Sequence, residues 1–455
     1  MIRGALEGLQ RLASRIVPDP FVLALGLTGL VAAVAMLRGP AAGFDAGEGS
    51  WGWALFEAWS ASFMSAGLLA FALKMALILV TGHALALSGP VRAAVDGVAR
   101  LPRTPAQATA LVALVACAAS VFHWGLGAIV GALLAREIGR SALASGRQVH
   151  YPLLGAAAYS GFAVWHGGLS GSAPVTVASE GHFLAETLAS AAPGGVIPVG
   201  ETLFGGLNLV ATGGLILLIP AVCAALTPKE QGALVPPDAT QLSALPDLGS
   251  GDEWQRHPAL GWLCGGIGLA LTCGAMMGGR MSFDLNSVIL VFLFAGIALQ
   301  GDVVAYARAV ADGAKGAGAI ILQFPFYFGI LGLMKASGLI AALSSGLVAL
   351  WSATTFPVFA FLSAGIVNFF VPSGGGQWAV QGEILLEAGQ QLGVSASTTI
   401  MAFSYGDAWT NTLQPFWALP LLGIMGLRAR DIIGYTAVVF LLMGAWVPLI
   451  LLLMG

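Results

Sequence analysis

The sequence predicts an all-α polytopic membrane protein made of two inverted-topology repeats, each with a re-entrant helical hairpin followed by a broken transmembrane helix. Hydrophobic residues make up 57% of the 455-residue chain and charged residues only 9%, with a mean hydropathy of +0.87. A soluble chain of this length needs far more charge to cover its surface. Many apolar runs also approach the roughly 20 residues that a spanning helix needs. The net charge of −3 indicates no nucleic-acid partner.

Nine apolar runs are candidate membrane spans. They are residues 18–37, 62–88, 151–174, 203–226, 258–278, 284–300, 317–336, 396–424 and 432–453. Two further apolar regions, residues 105–138 and 355–388, are interrupted near the middle by glycine-rich sequence. Each of these regions is either one long broken helix or a re-entrant hairpin that enters and leaves the membrane on one side.

The distribution of basic residues favours the hairpins. With both regions as hairpins and the N-terminus in the cytoplasm, most of the 19 lysines and arginines lie in cytoplasmic loops, as the positive-inside rule requires. A single crossing by 105–138 would instead place Arg136, Arg140 and Arg147 outside. The N-terminus lacks a compact signal-peptide pattern, so we expect it to be retained on the cytoplasmic side of a bacterial inner membrane.

The two halves of the chain resemble each other. Phe122 and Phe370 open the two interruptions, and Trp165 and Trp409 occupy similar places in the spans that follow. An odd number of crossings between the copies inverts the second one, an arrangement typical of secondary transporters. The predicted division is a cytoplasmic N-terminus (1–17), a first repeat (18–226, with hairpin 105–138 and broken span 151–174), a linker with a connecting span (227–283, span 258–278) and a second repeat (284–455, with hairpin 355–388 and broken span 396–424).

The tip of the second hairpin is the strongest candidate for a carboxylate site. A helix that begins within the membrane presents free N–H groups and the positive end of its dipole, and glycines let a ligand approach the backbone closely. The alternative is that the glycines only permit close helix packing. The predicted substrate contacts here are Ser373, Gly374, Gly375, Gly376, Gln377 and Trp378.

The corresponding tip of the first hairpin offers His123, Trp124 and Gly125. A histidine at this place can bind a substrate carboxylate or carry a proton. The alternative is that His123 is purely structural.

The broken spans after the hairpins are too polar to face lipid, so we expect them to face the tips. They supply further predicted substrate contacts at His166, Ser170, Ser172, Trp409, Thr410 and Asn411. The candidates for binding a coupling ion are Asp407, Lys74, Thr412 and Gln414. An ionisable residue inside a membrane span is a functional candidate by default; the alternatives are a helix cap for Asp407 and a structural ion pair for Lys74. No metal-ligand spacing, cofactor motif or catalytic set is predicted, and the four cysteines are interpreted as core residues.

Several motifs together resemble the short-chain fatty acid transporter family, of the acetoacetate and butyrate uptake type. The resemblance spans nearly the whole chain, and its most specific run is residues 371–382. It implies an inner-membrane carrier of small monocarboxylates and kinship with the ion-transporter superfamily, whose members place two opposed hairpins in a transport domain and often form homodimers. Lys74 departs from the glutamine usual in the family. The motifs are 80–83 (VTGH), 122–127 (FHWGLG), 165–174 (WHGGLSGSAP), 371–382 (VPSGGGQWAVQG) and 405–411 (YGDAWTN).

The leading hypothesis is therefore a secondary transporter of short-chain fatty acids by alternating access. Its partners are a small monocarboxylate, a coupling proton or sodium ion, and the lipid bilayer, since burying a lone carboxylate without a counter-charge is costly. A dicarboxylate or amino-acid carrier on the same fold is the first alternative, a channel is another, and an intramembrane hydrolase built from His166, Ser170 and Asp407 is the most distant.

Overall fold

A computed structural model describes residues 20–44, 49–178, 182, 184–238, 242, 257–281, 285–339, 342, 351–369, 374–414 and 417–455. Regular secondary structure within these ranges is helical, without a strand, which confirms the all-α prediction. The predicted N-terminal segment 1–17, the site candidate Ser373 and much of the linker lie outside the described residues. The α-helices are α1 (Pro20–Arg38), α2 (Trp51–Phe63), α3 (Ala66–Ala86), α4 (Gly89–Ala99), α5 (Pro105–Phe122), α6 (Trp124–Ser145), α7 (Tyr151–Tyr159), α8 (Ser172–Val177), α9 (Ala185–Leu188), α10 (Gly206–Leu226), α11 (Pro258–Met277), α12 (Leu285–Gln300), α13 (Val303–Ala314), α14 (Gly318–Ala336), α15 (Phe356–Asn368), α16 (Gly374–Gln391), α17 (Ala396–Asn411), α18 (Leu419–Met425) and α19 (Ala429–Met454).

Four of the described helices, α5, α10, α11 and α19, are long and apolar enough by themselves to cross a bilayer. The last three coincide with predicted spans, and the shorter apolar helices α1, α12 and α14 lie where three more were predicted. These helices support the prediction that the chain is embedded in a membrane.

Helices α5 and α6 form an antiparallel hairpin. Only His123 separates them, and it is the N-cap of α6. A Cβ on Gly131 would lie 3.0 Å from Ala116 Cβ, and one on Gly127 would overlap Ser120, so close packing here requires glycine. The second arm is longer than predicted, because the polar residues after 135 continue the helix until Gly146 ends it at φ = 66°.

Helices α15 and α16 also fold back on each other. Gln377 donates to the carbonyl of Ala364 at 2.8 Å and to Gln381 Oε1 at 2.9 Å, and Gln381 donates to Ser363 Oγ at 3.1 Å. These bonds tie the two arms along a buried polar ladder. The turn between them, residues 370–373, lies outside the described residues.

Both predicted broken spans are interrupted. Helix α7 gives way to two 3₁₀ turns, Ser160–Ala163 and Trp165–Gly167, before the short α8. Helix α17 ends at Asn411, and α18 begins only at Leu419. The two segments are in contact, since the Tyr159 hydroxyl donates to the carbonyl oxygens of Asn411 and Gln414.

Helices α2 and α13 lie where the sequence analysis expected loops. Helix α2 begins after Ser50, whose hydroxyl accepts from the Trp53 N–H at 3.4 Å. It packs closely on α14, because a Cβ on Gly329 would overlap the Trp59 indole and one on Gly332 would overlap the Ala58 carbonyl. Neither helix is long enough to give the 20-residue apolar signal on which the span prediction depended.

Candidate functional site

A buried histidine–carboxylate pair joins the two broken segments. His166 Nδ1 lies 2.9 Å from Asp407 Oδ2, and both side chains are fully buried. The backbone N–H of Ala173 donates to His166 Nε2 at 3.2 Å. Because Nε2 accepts a hydrogen bond, the proton of a neutral ring is on Nδ1 and is donated to the carboxylate. The geometry therefore describes an imidazole that accepts through Nε2 and donates through Nδ1 to Asp407 Oδ2.

The other oxygen of this carboxylate has no donor. Asp407 Oδ1 has no hydrogen-bond partner among the described residues, and Asn411 Nδ2 makes only a long contact of 3.4 Å with Oδ2. Leaving a buried polar atom unpaired costs about 1–3 kcal/mol, and more for a charged group. A buried carboxylate oxygen without a donor can bind a cation or a proton.

Asn368, the last residue of α15, binds the same part of α17. Its amide nitrogen lies 3.0 Å from the carbonyl oxygen of Asp407, 2.9 Å from Thr410 Oγ1 and 2.6 Å from Asn411 Oδ1. Because the Asp407 carbonyl oxygen can only accept a hydrogen bond, the atom in contact with it is assigned as nitrogen. Asn368 Oδ1 is then buried and has no partner among the described residues.

Two further amide oxygens near this junction are also buried without a hydrogen-bond donor in the described part of the chain. They are Gln377 Oε1 at the start of α16 and Gln414 Oε1 after α17. Gln414 reaches the carbonyl oxygen of Phe369 through its amide nitrogen at 3.4 Å. Several acceptor oxygens thus lack donors where the second hairpin meets α17.

The start of α16 packs against the segment 165–172. A Cβ on Gly374 would lie 2.8 Å from Trp165 Cη2, 3.0 Å from His166 Cε1 and 3.1 Å from Ser172 Oγ. At Gly375, by contrast, the nearest atom is Ser172 Cβ at 3.9 Å, and this glycine is exposed. Of these two candidate glycines, Gly374 is held against the His166 segment and Gly375 borders open space.

The tip of the first hairpin reaches the same loop from the other side. Trp124 donates its backbone N–H to Ser170 Oγ at 3.1 Å, and Leu169 donates to the carbonyl of Val121 at 2.7 Å. The Gly125 N–H donates to His123 Nδ1 at 3.1 Å. His123 thus caps the start of α6, which is the structural role named as the alternative to substrate binding. The loop at 165–172 therefore lies between the two hairpins, with Ser170 on one tip and Ser172 on the other.

Some predicted contacts lie away from this junction. Trp409 donates its indole N–H to the carbonyl of Phe440 at 2.8 Å and stacks on that ring, because residues 407 and 409 point to opposite sides of α17. Trp378 is fully buried against Phe403, with ring centroids 4.7 Å apart. These two indoles pack the helices rather than border the space beside Gly375.

The remaining ion candidates differ in their surroundings. The Thr412 hydroxyl donates back to the carbonyl of Trp409 at 2.6 Å, a local helix-end bond. Lys74 is half-buried in α3 and makes neither an ion pair nor a hydrogen bond with the described residues. The predicted structural ion pair of Lys74 is therefore not found within that part of the chain.

Comparisons with known proteins identify the family. A family model described as short chain fatty acid transporter matches residues 1–454. The chain belongs to the short-chain fatty acid transporter family. A protein of Escherichia coli (strain K12), provisionally named a short-chain fatty acid transporter, is 38% identical over 441 residues, which cover 95% of this chain and 96% of that protein.

A protein of Haemophilus influenzae (strain ATCC 51907 / DSM 11121 / KW20 / Rd) with the same provisional name is 35% identical over 450 residues, with 97% of both chains covered. Among solved structures, the Alcanivorax borkumensis YdaH transporter aligns over 96% of this chain and 97% of its own, with 17% identity and a TM-score of 0.46. Family membership makes this protein a membrane-embedded transporter and not an enzyme.

Asn368 of this short-chain fatty acid transporter family member was not predicted from the sequence as a site residue. The available signal was its position, since it is the last helical residue before the second interruption and an amide there is unusual in an apolar arm. Tyr405 was also not predicted; its hydroxyl donates to Asn208 Oδ1 at 2.8 Å and so links α17 to α10. That contact joins residues far apart in the sequence and has no local signature.

Proposed function

We propose that this protein is a secondary active transporter of short-chain fatty acids such as butyrate and acetoacetate. One observation carries the proposal: helix ends of opposite polarity meet at the His166–Asp407 pair. Helices α15 and α17 end at Asn368 and Asn411, and α16 begins at Gly374. Helix C-termini favour cations and N-termini favour anions. Broken helices that present both ends are the usual way for transporters to hold a substrate carboxylate and a coupling ion.

The substrate carboxylate binds at the start of α16, beside Gly375 and Ser172. The exposed face of Gly375 leaves room for an anion there, whereas the N–H groups at the start of α6 already bind Ser170 and His123. The single acidic residue of the junction, Asp407, repels a second carboxylate, which favours a monocarboxylate over a dicarboxylate.

The coupling ion binds at Asp407 Oδ1, and sodium fits the surroundings better than a proton. A proton would satisfy one oxygen, while a bare cation takes several oxygen ligands at once. Asn368 Oδ1, which lies in the same hydrogen-bonded group, is the next ligand in this proposal. His166 donates to Oδ2, which leaves Oδ1 as the carboxylate oxygen available to the cation.

Counterflow exchange tests the substrate class. Proteoliposomes loaded with unlabelled butyrate are expected to accumulate labelled butyrate transiently, and external acetoacetate should compete while succinate and lysine should not. Saturation with substrate distinguishes a carrier from a channel. Exchange of succinate or lysine without exchange of butyrate would contradict the proposal.

In the proposed topology the N-terminus is cytoplasmic, the protein lies in the inner membrane, and both hairpins are re-entrant within inverted repeats. Single cysteines in place of Arg100 and Arg147, in a cysteine-free background, are then expected to react with a membrane-impermeant reagent from the cytoplasmic side only. The two positions flank the first hairpin, whose arms fold back on each other. Labelling of the two positions from opposite sides would show that the hairpin region crosses the membrane once.

A further inference from the structure

A cavity of about 650 Å³ lies at the open end of the first hairpin. Its walls come from the loop before α5, the end of α6 and the end of α10, and Thr109 and Thr227 share a hydrogen bond of 3.1 Å beside it. Three cationic residues, Arg103, Arg147 and Lys229, line it, and no aspartate or glutamate does so among the described residues. The cavity is thus cationic on one part of its wall and otherwise largely apolar.

The positive charge of this cavity is not compensated within the described chain. The Arg147 guanidinium is held only by neutral groups, namely the hydroxyls of Ser145 and Ser141 at 2.9 Å each and the carbonyl of Pro102 at 3.3 Å. The side chains of Arg103 and Lys229 make no hydrogen bond or ion pair in the same part of the chain. An anion is therefore the ligand that this wall lacks.

Some other cations in the loops predicted to be cytoplasmic have acidic partners, whereas Arg136 and Arg430 have none among the described residues. Arg140 lies 2.7 Å from Glu137 and 3.2 Å from Asp96, and Arg428 lies 3.7 Å from Asp431. The positive-inside rule explains why such loops are basic, but it does not explain why three unpaired cations border one cavity.

A shallow groove with an apolar side formed by Leu101 and Leu111 continues from the cavity along α5. It has a volume of about 370 Å³, is lined by Leu101, Gln107 and Leu111, and shares Pro102 and Arg103 with the cavity. Leu101, in the loop before α5, is 66% exposed, and Leu114, in α5 itself, is 43% exposed. A groove of this kind fits a hydrocarbon chain, whereas a small free anion would leave it empty.

We propose that the cavity and groove together bind an anionic phospholipid, with its phosphate on the three cations and an acyl chain along Leu101 and Leu111. The depth is suitable, since the apolar helix α10 ends at Leu226 and Lys229 follows three residues later, at the level where headgroups lie. A lipid held there bridges the base of the hairpin and the end of α10. The lipid phosphate supplies the charge that the protein leaves uncompensated.

Native mass spectrometry of the full-length protein in detergent, with phosphatidylglycerol titrated against phosphatidylcholine, tests this proposal. The wild-type protein is expected to retain one phosphatidylglycerol in preference to phosphatidylcholine. Arg103→Gln and Lys229→Gln remove charges that make no internal bond, so both variants should fold and should each weaken phosphatidylglycerol binding about fivefold. Arg428→Gln, which removes a charge paired with Asp431, is the matched control and should bind as the wild type does.

Glycerol phosphate, the headgroup without its chains, separates a lipid site from a site for free phosphate. It should not displace the bound lipid at equal concentration, because it leaves the groove empty. The proposal is overturned if phosphatidylcholine binds equally well, if glycerol phosphate displaces the lipid, or if the two variants bind as the Arg428→Gln control does.

Discussion

Asp407→Asn is expected to abolish ion-driven accumulation of substrate while leaving exchange largely intact. Asparagine keeps the size of the side chain and an oxygen that can accept the His166 N–H, but it removes the negative charge. The affinity for the coupling cation should fall at least about tenfold, since a ligand charge in a buried site is worth at least about 1.4 kcal/mol. Concentrative uptake and counterflow, measured on the same proteoliposomes, distinguish the two effects.

Glu383→Gln is the matched control for that variant. Glu383 is an exposed acid on α16, in the same hairpin as the proposed carboxylate site, and the substitution removes one negative charge without touching the His166–Asp407 pair. It should leave gradient-driven uptake unchanged. If uptake by Asp407→Asn still depended fully on the ion gradient, this carboxylate would be structural. The proposed ion-binding site would then be wrong.

Gly374→Val is expected to reduce substrate affinity severely, and Gly375→Ala, which adds a single methyl group beside the proposed carboxylate, to reduce it less. Even the Cβ of alanine at position 374 would lie 2.8 Å from Trp165 Cη2, closer than Cβ atoms approach in real proteins, and valine adds two methyl groups. The start of α16 must then shift away from His166, at a packing cost of about 1–3 kcal/mol. A loss of affinity of about tenfold or more follows if that helix start binds the carboxylate.

The adjacent glycine is a stringent comparison, because a Cβ at 375 meets only Ser172, at 3.9 Å. Butyrate affinity of purified, monodisperse variants is the measurement, with folded yield recorded for each. Near wild-type affinity in Gly374→Val would show that the tip does not bind substrate and that its glycines serve packing alone. The sequence alone does not distinguish the two glycines; the structure places the close packing contacts at Gly374.

The elements best predicted from the sequence are those with a strong local signal. Long apolar runs such as 203–226 and 258–278 correspond closely to α10 and α11, because bilayer thickness sets their length. The interruption at His123 was visible because glycine and histidine stand out in an apolar run. Helix ends were less accurate: α6 continues to Ser145 through polar residues that hydropathy excludes but that have good helix propensity.

The candidate site was predicted in part. His166 and Asp407 were both named from their unusual place in apolar segments, but their mutual contact depends on tertiary packing between residues 241 apart. Trp409 was named because it lies in the polar broken span, and sequence spacing does not show which side of α17 it occupies. The tautomer of His166 depends on a backbone N–H of α8, which no side-chain pattern reveals.

Uptake of labelled butyrate into proteoliposomes under separately imposed sodium and proton gradients tests the central claim most directly. An inward sodium gradient at equal pH is expected to drive butyrate above its external concentration, and a proton gradient without sodium is not. Accumulation driven by protons alone would contradict the sodium site at Asp407 and Asn368. Equilibration without accumulation under either gradient, in protein that exchanges butyrate, would contradict active transport itself.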